Sequence, residues 1–289
     1  MLASAFISGV GLGSMYGLIA LGFHITYVVS NTVNFAQGSA MMLGAVLGYT
    51  LGIKYGWPMP LAIVAALLIC ALFGLVIERF LVRPFTTRKS DAWLMATVAA
   101  GIVLDNTVLF TFGKEPRGFP SVLATAPIHN LGVGIYPLQL LIPLAGVGAA
   151  LVLHLVLRRT RRGKTLLAVV QNPNAARLMG INVNRVIATS FALSTALAGA
   201  AGLLIAPLFS VSSEMGTLFG IKAFAVAILG GMGSAWGVVL AGLLYGLLEA
   251  LVTSYLGSVY TQIVVFSIVI IALALMPNGL FGRIAINKV

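Results

Sequence analysis

Long, uninterrupted apolar runs, separated by short polar breaks, make up most of this 289-residue sequence. The runs cover residues 3–28, 36–53, 59–80, 92–112, 138–158, 186–208, 219–235, 236–256 and 260–276. An α-helix needs about 20 apolar residues to cross a bilayer, whereas a transmembrane β-strand shows a shorter, alternating pattern. The pattern therefore predicts an all-α polytopic membrane protein, a bundle of about eight to nine transmembrane helices with broken or re-entrant segments.

The composition agrees with this class and narrows the function. Hydrophobic residues make up 60% of the chain and charged residues 8%, against roughly 25% charged in soluble domains. The single Cys70 excludes an internal disulfide and a cysteine-rich metal site. No HExxH, CxxC or GxSxG arrangement occurs, and the RRGKT string lacks the earlier glycine of a phosphate-binding loop because position 158 is Arg. We therefore expect no enzyme active site, no metal and no cofactor.

Basic residues are concentrated in a few of the breaks, although the net charge is +11. Thirteen of the 17 Lys and Arg residues lie within 79–89, 158–185 and 283–288. Because Lys and Arg collect in cytoplasmic loops, we expect these breaks and the C-terminus to be cytoplasmic. The break at 113–137 has four prolines and little charge bias, and is predicted to be an external loop. No basic, aromatic-interleaved face remains for nucleic acid. Residues 1–289 thus form one membrane domain, with a large cytoplasmic loop at about 159–185.

One segment of that loop, NPNAARLMGI, carries its own helix signal. Asn172 can cap a helix whose first turn holds Pro173, and Gly180 can take the left-handed conformation that ends it. A helix of about two turns is too short to be stable alone. Its small apolar face consists of Ala175, Ala176, Leu178 and Met179. We expect this face to pack against the protein's own bundle or in a groove of another protein.

Two polar breaks are candidates for a solute path. The break SNTVNFAQGSA holds Asn31, Asn34, Gln37 and Ser39. Unpartnered amides are costly in lipid, so this cluster lies either at the membrane surface or along a polar cavity, and we favour the cavity. The break GGMGS holds Gly230, Gly231, Gly233 and Ser234. Gly-Ser-Ala begins the apolar run after both breaks, as in transporters with paired broken helices, although chance similarity is the alternative.

Glycines recur every fourth position on three of the apolar runs. They are Gly9, Gly13 and Gly17, then Gly44, Gly48 and Gly52, and later Gly242 and Gly246. Small residues at this spacing form a smooth face for close helix packing. Packing within one bundle is the interpretation we favour, and a subunit interface is the alternative.

Few ionisable residues lie within the apolar runs. They are His24, Asp105 and Glu249, with Asn106 next to the aspartate, while His154 lies near a basic end. Intramembrane ionisable groups mark a transport path or a buried pair. We favour the interpretation that they hydrogen-bond neighbouring helices and hold the bundle together, with a path as the alternative.

Four stretches, in order and spread over nearly the whole chain, resemble the LivH-type permease of branched-chain amino acid ABC importers. They are GSMYGLIALGFHITYVVSNTVNFAQGSAMMLGA, RGKTLLAVVQNPNAARLMGINVNRV, AVAILGGMGSAWGVVLAG and MPNGLFGR. The spacing Ala175-Ala176-x-x-x-Gly180 also resembles the cytoplasmic EAA loop of ABC importers, in which a short helix docks on the ATPase subunit. Asn174 stands where that pattern prefers Glu.

The resemblance implies a non-enzymatic permease of the bacterial inner membrane, which moves branched-chain or other neutral amino acids into the cytoplasm. Its implied partners are two ATPase subunits, a LivM-type permease, a periplasmic substrate-binding protein and the lipid bilayer. The implied coupling residues are Asn172, Asn174, Ala175, Ala176, Arg177 and Gly180. Arg177 would meet acidic groups of the ATPase, or equally lipid headgroups.

The resemblance identifies the type of transporter better than it identifies the substrate. The family segment is often Asn-Phe-Ala-His/Gln-Gly-Glu, and Ser39 replaces its acidic residue here. Urea, short amides and aromatic or other carboxylates therefore remain alternative cargoes. A stand-alone secondary transporter or channel is a further, less favoured alternative, since it would need several functional charges within the membrane.

Overall fold

The computed structural model describes residues 2–120, 128–130, 133–135 and 137–282. The first helices are α1 (Leu2–Ser30), α2 (Gln37–Gly48), α3 (Met59–Val76), α4 (Arg83–Thr87) and α5 (Trp93–Phe112). Two short strands, β1 (Ile128–Asn130) and β2 (Val133–Ile135), precede α6 (Pro137–Arg159), α7 (Arg161–Gln171), α8 (Pro173–Leu178), α9 (Val183–Ile205), α10 (Met215–Gly230), α11 (Ala235–Leu256) and α12 (Ser258–Leu275). The π-helical turns Tyr49–Lys54 and Ile77–Val82 continue α2 and α3.

Seven helices in the described part of the chain are long and apolar enough to cross a membrane. Helix α10 is a shorter apolar one. The predicted all-α polytopic membrane protein is thus confirmed. The apolar run predicted at 219–235 ends earlier, because α10 ends at Gly230 and Gly231 takes a φ of +80°, in the left-handed region where helices end.

Helix α1 lies in the middle of the bundle. Of its apolar window 72% is buried, against 17% in α5 and in α12, which present apolar side chains on the outside of this chain. A Cβ at Gly13 would lie 2.6 Å from the carbonyl oxygen of Gly242, and Gly9 meets Gly246 in the same way, one turn along. The glycine faces of α1 and α11 therefore pack within one bundle, as the favoured interpretation holds.

Helix α2 is short and enclosed. Every residue of it except Leu47 is buried. Its Gly44 lies against Gly199 of α9, and its Gly38 lies against Gly216 of α10, at distances that leave no room for a side chain. These contacts place the beginning of α2 inside the bundle.

The predicted loop at 113–137 contains some regular structure. Strands β1 and β2 form an antiparallel hairpin, with His129 opposite Gly134. Arg117 exchanges two backbone hydrogen bonds with Val211, which ties the end of α5 to the segment before α10. Three-residue strands carry too few positions for an alternating pattern, which is why the sequence did not predict them.

Candidate functional site

The predicted short helix is present as α8, and its beginning is closed as the sequence indicates. Asn172 has an extended backbone, and its side-chain oxygen accepts hydrogen bonds from the N–H groups of Asn174 and Ala175, each at 3.0 Å. Pro173 occupies the first turn, where a missing N–H costs nothing. Two of the otherwise unpaired donors of the helix are thus satisfied by one side chain.

The other end of α8 forms a Schellman motif. Gly180 has a φ of +80° and donates its N–H to the carbonyl of Arg177 at 3.0 Å. The N–H of Ile181 donates to the carbonyl of Ala176 at 3.0 Å. This is the paired arrangement that satisfies the last carbonyls of a helix through a left-handed glycine.

One face of α8 packs on its own bundle. Ala176 is buried in a cluster with Val29 at the end of α1, Val169 of α7 and Val183 at the start of α9. A two-turn helix gains most of its stability from such packing. The cluster therefore connects α8 to the end of α1, next to the break at residues 31–36.

The opposite side of α8 is open to the surroundings. Leu178 is 90% exposed and Met179 is 82% exposed, and Ala175 and Arg177 are exposed as well. The apolar face predicted from the sequence is thus divided between the bundle and the outside. Packing against the protein's own bundle is seen at Ala176, and docking of the exposed residues in a groove of another protein stays a prediction.

The GKT string before α8 is helical. It lies in α7, whose first turn is capped by Thr160, since the Gly163 N–H donates to the Thr160 hydroxyl at 3.0 Å. The carbonyls of Val156 and Leu157 lie so close to Gly163 that a Cβ would not fit. The string thus forms part of a packed helix.

The four predicted path residues of the first break are placed in different surroundings. Asn31 has a φ of +53° and lines a cavity of about 370 Å³ together with Arg83 and Arg177, beside α8. Asn34 is fully buried; its oxygen accepts from the N–H of Ala36 at 3.1 Å, and its Nδ2 has no hydrogen-bond partner. Asn31 therefore lies next to the short helix, and Asn34 lies inside the bundle.

Gln37 joins three helices. Its Nε2 donates to the carbonyl of Ser194 on α9 at 2.9 Å, and its Oε1 accepts from the Ser194 hydroxyl at 2.9 Å. The same hydroxyl lies 2.8 Å from the carbonyl oxygen of Gly22 on α1, so its one proton is shared between Gln37 Oε1 and this carbonyl in the buried network. Because its amide is hydrogen-bonded to the bundle, Gln37 holds the beginning of α2 in place. Path lining by Gln37 remains a prediction.

The second break lies at a different cavity. Gly231 ends α10, and Ser234 caps α11 by accepting from the N–H of Gly237 at 3.1 Å. The break lines a cavity of about 740 Å³, whose further lining residues include His24, Arg158, Gly233 and Trp236. Gly230, the last residue of α10, is buried behind it. This cavity shares no lining residue with the cavity at Ser39, but it shares Val28, Val29 and Val170 with the cavity at Asn31.

Two of the intramembrane ionisable residues hold elements together. The Lys222 ammonium on α10 donates to Glu249 Oε1 on α11 at 2.5 Å, and both side chains are largely buried. His24 Nδ1 lies 2.7 Å from the carbonyl oxygen of Met232, which ties α1 to the second break. For these two, the interpretation that they hold the bundle together agrees with the structure.

Asp105 is placed differently. Its Oδ2 accepts a hydrogen bond from the Thr217 hydroxyl of α10 at 3.3 Å, and its Oδ1 is buried without a partner. Ser39 lies beside the same carboxylate. The two residues line a cavity of about 240 Å³ with Thr217, and Asn106 lines the next cavity while its amide donates to the carbonyl of Ile102 at 2.8 Å.

The sequence as a whole matches the family described as "Branched-chain amino acid transport system / permease component" over residues 5–274. The chain belongs to this permease family. It is 34% identical to the high-affinity branched-chain amino acid transport system permease protein LivH of Escherichia coli strain K12, over 98% of this chain and 96% of that protein. It is 32% identical to BraD of Pseudomonas aeruginosa, a permease protein of the same description, over 98% and 96%.

A more distant relative has a different name. The chain is 31% identical to the autoinducer 2 import system permease protein LsrD of Escherichia coli O9:H4, over 81% of this chain and 71% of that protein. The relatives of this permease are thus permease proteins of transport or import systems, and their names cover more than one cargo.

Several residues of the permease that matter for these contacts are absent from the sequence predictions. Lys222 stood out only as one of the basic residues outside the cytoplasmic breaks, and Ser194 and Thr217 resemble many other hydroxyl residues in apolar helices. One signal was available for Lys222: a lone lysine inside an apolar run needs a carboxylate partner, and Glu249 lies in the next run. Ser194 and Thr217 carry no comparable signal.

Proposed function

We propose that this permease is the membrane subunit of a bacterial ABC importer, which moves branched-chain or other neutral amino acids into the cytoplasm with energy from partner ATPases. The observation that carries the proposal is α8: a two-turn helix, closed at both ends by its own residues, packed inward and apolar outward. Such a helix transmits movement to the bundle from a protein that binds its outer side.

The inward contacts supply a route for that movement. Ala176 and Val29 belong to one buried cluster, so a displacement of α8 would be passed through this cluster to the end of α1. The chain then turns at Asn31, whose left-handed backbone sits between α1 and α2, and the enclosed α2 carries Ser39 into the bundle. Packed elements transmit small shifts because close-packed interiors deform little.

The distribution of basic residues supports one orientation of the permease in the membrane. Basic residues surround α8 on α6, α7 and the start of α9, and by the positive-inside rule they support a cytoplasmic position for α8 and the C-terminus. Residues 113–137 then face outward, where a periplasmic binding protein would deliver the solute. Two ATPases below and a second, LivM-type permease beside the chain complete the assembly, within the inner membrane.

The outer side of α8 provides a test of coupling. In the full importer in liposomes, we expect replacement of both Leu178 and Met179 by Ala to lower ATP-driven amino acid uptake about tenfold or more, because two exposed apolar anchors in a groove are lost. Alanine keeps the helix itself favourable. The measurement is uptake of labelled leucine, together with retention of the ATPase subunits during purification.

The matched control is Gln171→Ala, since Gln171 is exposed at the end of α7 just before the cap of α8. It should leave uptake and ATPase retention unchanged. Full uptake by the Leu178→Ala, Met179→Ala variant would refute the coupling role of α8. Uptake driven by an ion gradient without any ATPase would refute the importer itself, in favour of a stand-alone transporter.

The likeness to LsrD supports a second candidate, the same machine with another cargo. The purified importer should then transport no branched-chain amino acid, yet hydrolyse ATP in response to a different solute and its binding protein. A ligand screen on the cognate binding protein separates amino acids from urea, amides and carboxylates.

A further inference from the structure

Two cavities meet at the Asp105 carboxylate. The first, here the aromatic cavity, has a volume of about 240 Å³ and is lined by Phe23, Phe35, Ser39, Asp105, Thr217 and Phe224 among others. The second, here the acidic cavity, has about 450 Å³ and includes Asp105, Asn106, Ser213, Glu214 and Thr217. Asp105 and Thr217 belong to both, so they form the junction between two spaces at the first turn of α10 and the outer half of α5.

The carboxylate at this junction is poorly compensated. It is contacted by neutral hydroxyls only, at 3.3 Å by Thr217 and beside it by Ser39, and its Oδ1 atom is buried without a hydrogen-bond partner in the described chain. No Lys, Arg or His is among the described residues that line either cavity. The ion pairs of the described residues, Arg83–Glu78 and Lys222–Glu249, do not include it. A carboxylate within an apolar helix is costly unless something positive is supplied from outside the chain.

The residues that line the aromatic cavity indicate which kind of molecule carries the positive group. Three phenyl rings form a cluster in the aromatic cavity, with ring centres 5.1 Å apart for Phe35 and Phe224 and 5.5 Å apart for Phe23 and Phe224. Phenyl faces accept both an apolar chain and a cationic nitrogen. The volume is below the about 300–1,000 Å³ of sites for drug-sized ligands, so the fitting solute has only a few carbons.

The width of the cavity is set by backbone contacts. Gly38 of α2 meets Gly216 and Gly220 of α10, and a Cβ at Gly220 would lie 2.8 Å from the Cα of Gly38. Any larger residue at these positions would separate α2 from α10 and move Ser39 and Thr217 away from each other. The three glycines therefore keep the hydroxyls of both helices within reach of the same carboxylate.

We propose that Asp105, with Ser39 and Thr217, binds the ammonium group of the solute on its path, and that the solute is a small primary amine with an apolar chain. Neutral amino acids belong to this class. The Glu214 carboxylate in the acidic cavity favours entry of the same charge, and anions without an ammonium group are repelled by both carboxylates. The transport context of this site rests on the proposed function.

The test uses the full importer in nanodiscs without its binding protein, and three probes that share one carbon skeleton. They are leucine, 3-methylbutylamine, which keeps only the amino group, and 4-methylpentanoate, which keeps only the carboxylate. The wild type should bind the first two and not the third. Asp105→Asn should weaken their binding by at least about tenfold, as expected for a lost hydrogen bond to a charged group. Asp91→Asn is the matched control, an exposed aspartate before α5 that should change nothing.

A double variant that moves the carboxylate to a neighbouring position distinguishes a loss of solute recognition from a loss of folding. Because Ser39 lies beside Asp105, the double variant Ser39→Glu, Asp105→Asn returns a carboxylate to the cavity and should regain at least part of the lost affinity. Unchanged amine binding in Asp105→Asn, or 4-methylpentanoate bound as well as the amine, would overturn the inference. Asp105-dependent binding of 3-methylbutylamine, without leucine uptake by the full importer in liposomes, would overturn the proposed cargo alone. Binding of none of the three would count against both.

Discussion

Glu249 and Asp105 are two carboxylates inside apolar helices, and the side chains around them differ. Glu249 is paired with Lys222 between α10 and α11. Asp105 is contacted by the hydroxyls of Ser39 and of Thr217, the latter at 3.3 Å, and lies where two cavities meet. Both carboxylates retain one oxygen without a partner.

The difference lies in what satisfies the charge. A buried charge needs an opposite charge, and the bundle itself provides one for Glu249. For Asp105 the described chain provides hydroxyls and open space, which suits a partner that arrives and leaves. Two residues with the same signal in the sequence thus have different expected consequences when they are changed.

The largest effect is expected at the paired carboxylate. Lys222→Met should lower the free energy of unfolding in detergent by about 3–5 kcal/mol, because it leaves the Glu249 charge buried and unpaired. The midpoint of thermal unfolding of the purified chain measures this. A shift no larger than that of a conservative change on the outer face of α12 would show that the pair contributes little.

A smaller effect is expected when both partners become neutral. The double variant Lys222→Met, Glu249→Gln should recover most of that loss and stay within about 1–2 kcal/mol of the wild type, since neither charge is then left unpaired. The two single variants and the double variant form a cycle under one unfolding protocol. If the two losses simply add, the residues act independently and the comparison with Asp105 loses its basis.

The smallest effect on stability is expected at the cavity. Asp105→Asn should change the unfolding free energy by no more than about 1 kcal/mol, because an amide can still accept from Thr217 and no cation loses its partner. The same unfolding measurement, run beside Lys222→Met, gives the comparison directly. A loss as large as at Lys222 would make Asp105 a residue that holds the bundle rather than one that binds a solute.

Local features of this fold could be predicted from the sequence because their causes are local. The cap at Asn172 and the left-handed Gly180 depend on backbone groups only a few residues away, so both ends of α8 agree with prediction. The long apolar helices follow from the requirement that lipid-exposed backbone be hydrogen-bonded within one segment. The early end of α10 was missed, since Gly230 and Gly231 carry the same residue type and only the second turns left-handed.

Other features depend on contacts between residues far apart in the chain. The first break reads as one polar cluster, yet the bundle places Asn31 beside α8, binds Gln37 to Ser194, and leaves Ser39 next to Asp105. The spacing of these residues in the sequence does not show which side chain is hydrogen-bonded within the bundle and which one lines a cavity. The same holds for the apolar face of α8, which packs inward at Ala176 and faces outward at Leu178.

By itself the sequence determined the class of protein, the helical segments, the basic end of the bundle and the short capped helix, because hydropathy, charge and capping act over one span or one turn. The tertiary structure alone decided which polar groups are satisfied by the bundle and which face open space. A hydrogen bond or an ion pair between helices depends on how the glycine faces of α1, α2, α10 and α11 bring the helices together, and that is a property of the packed bundle.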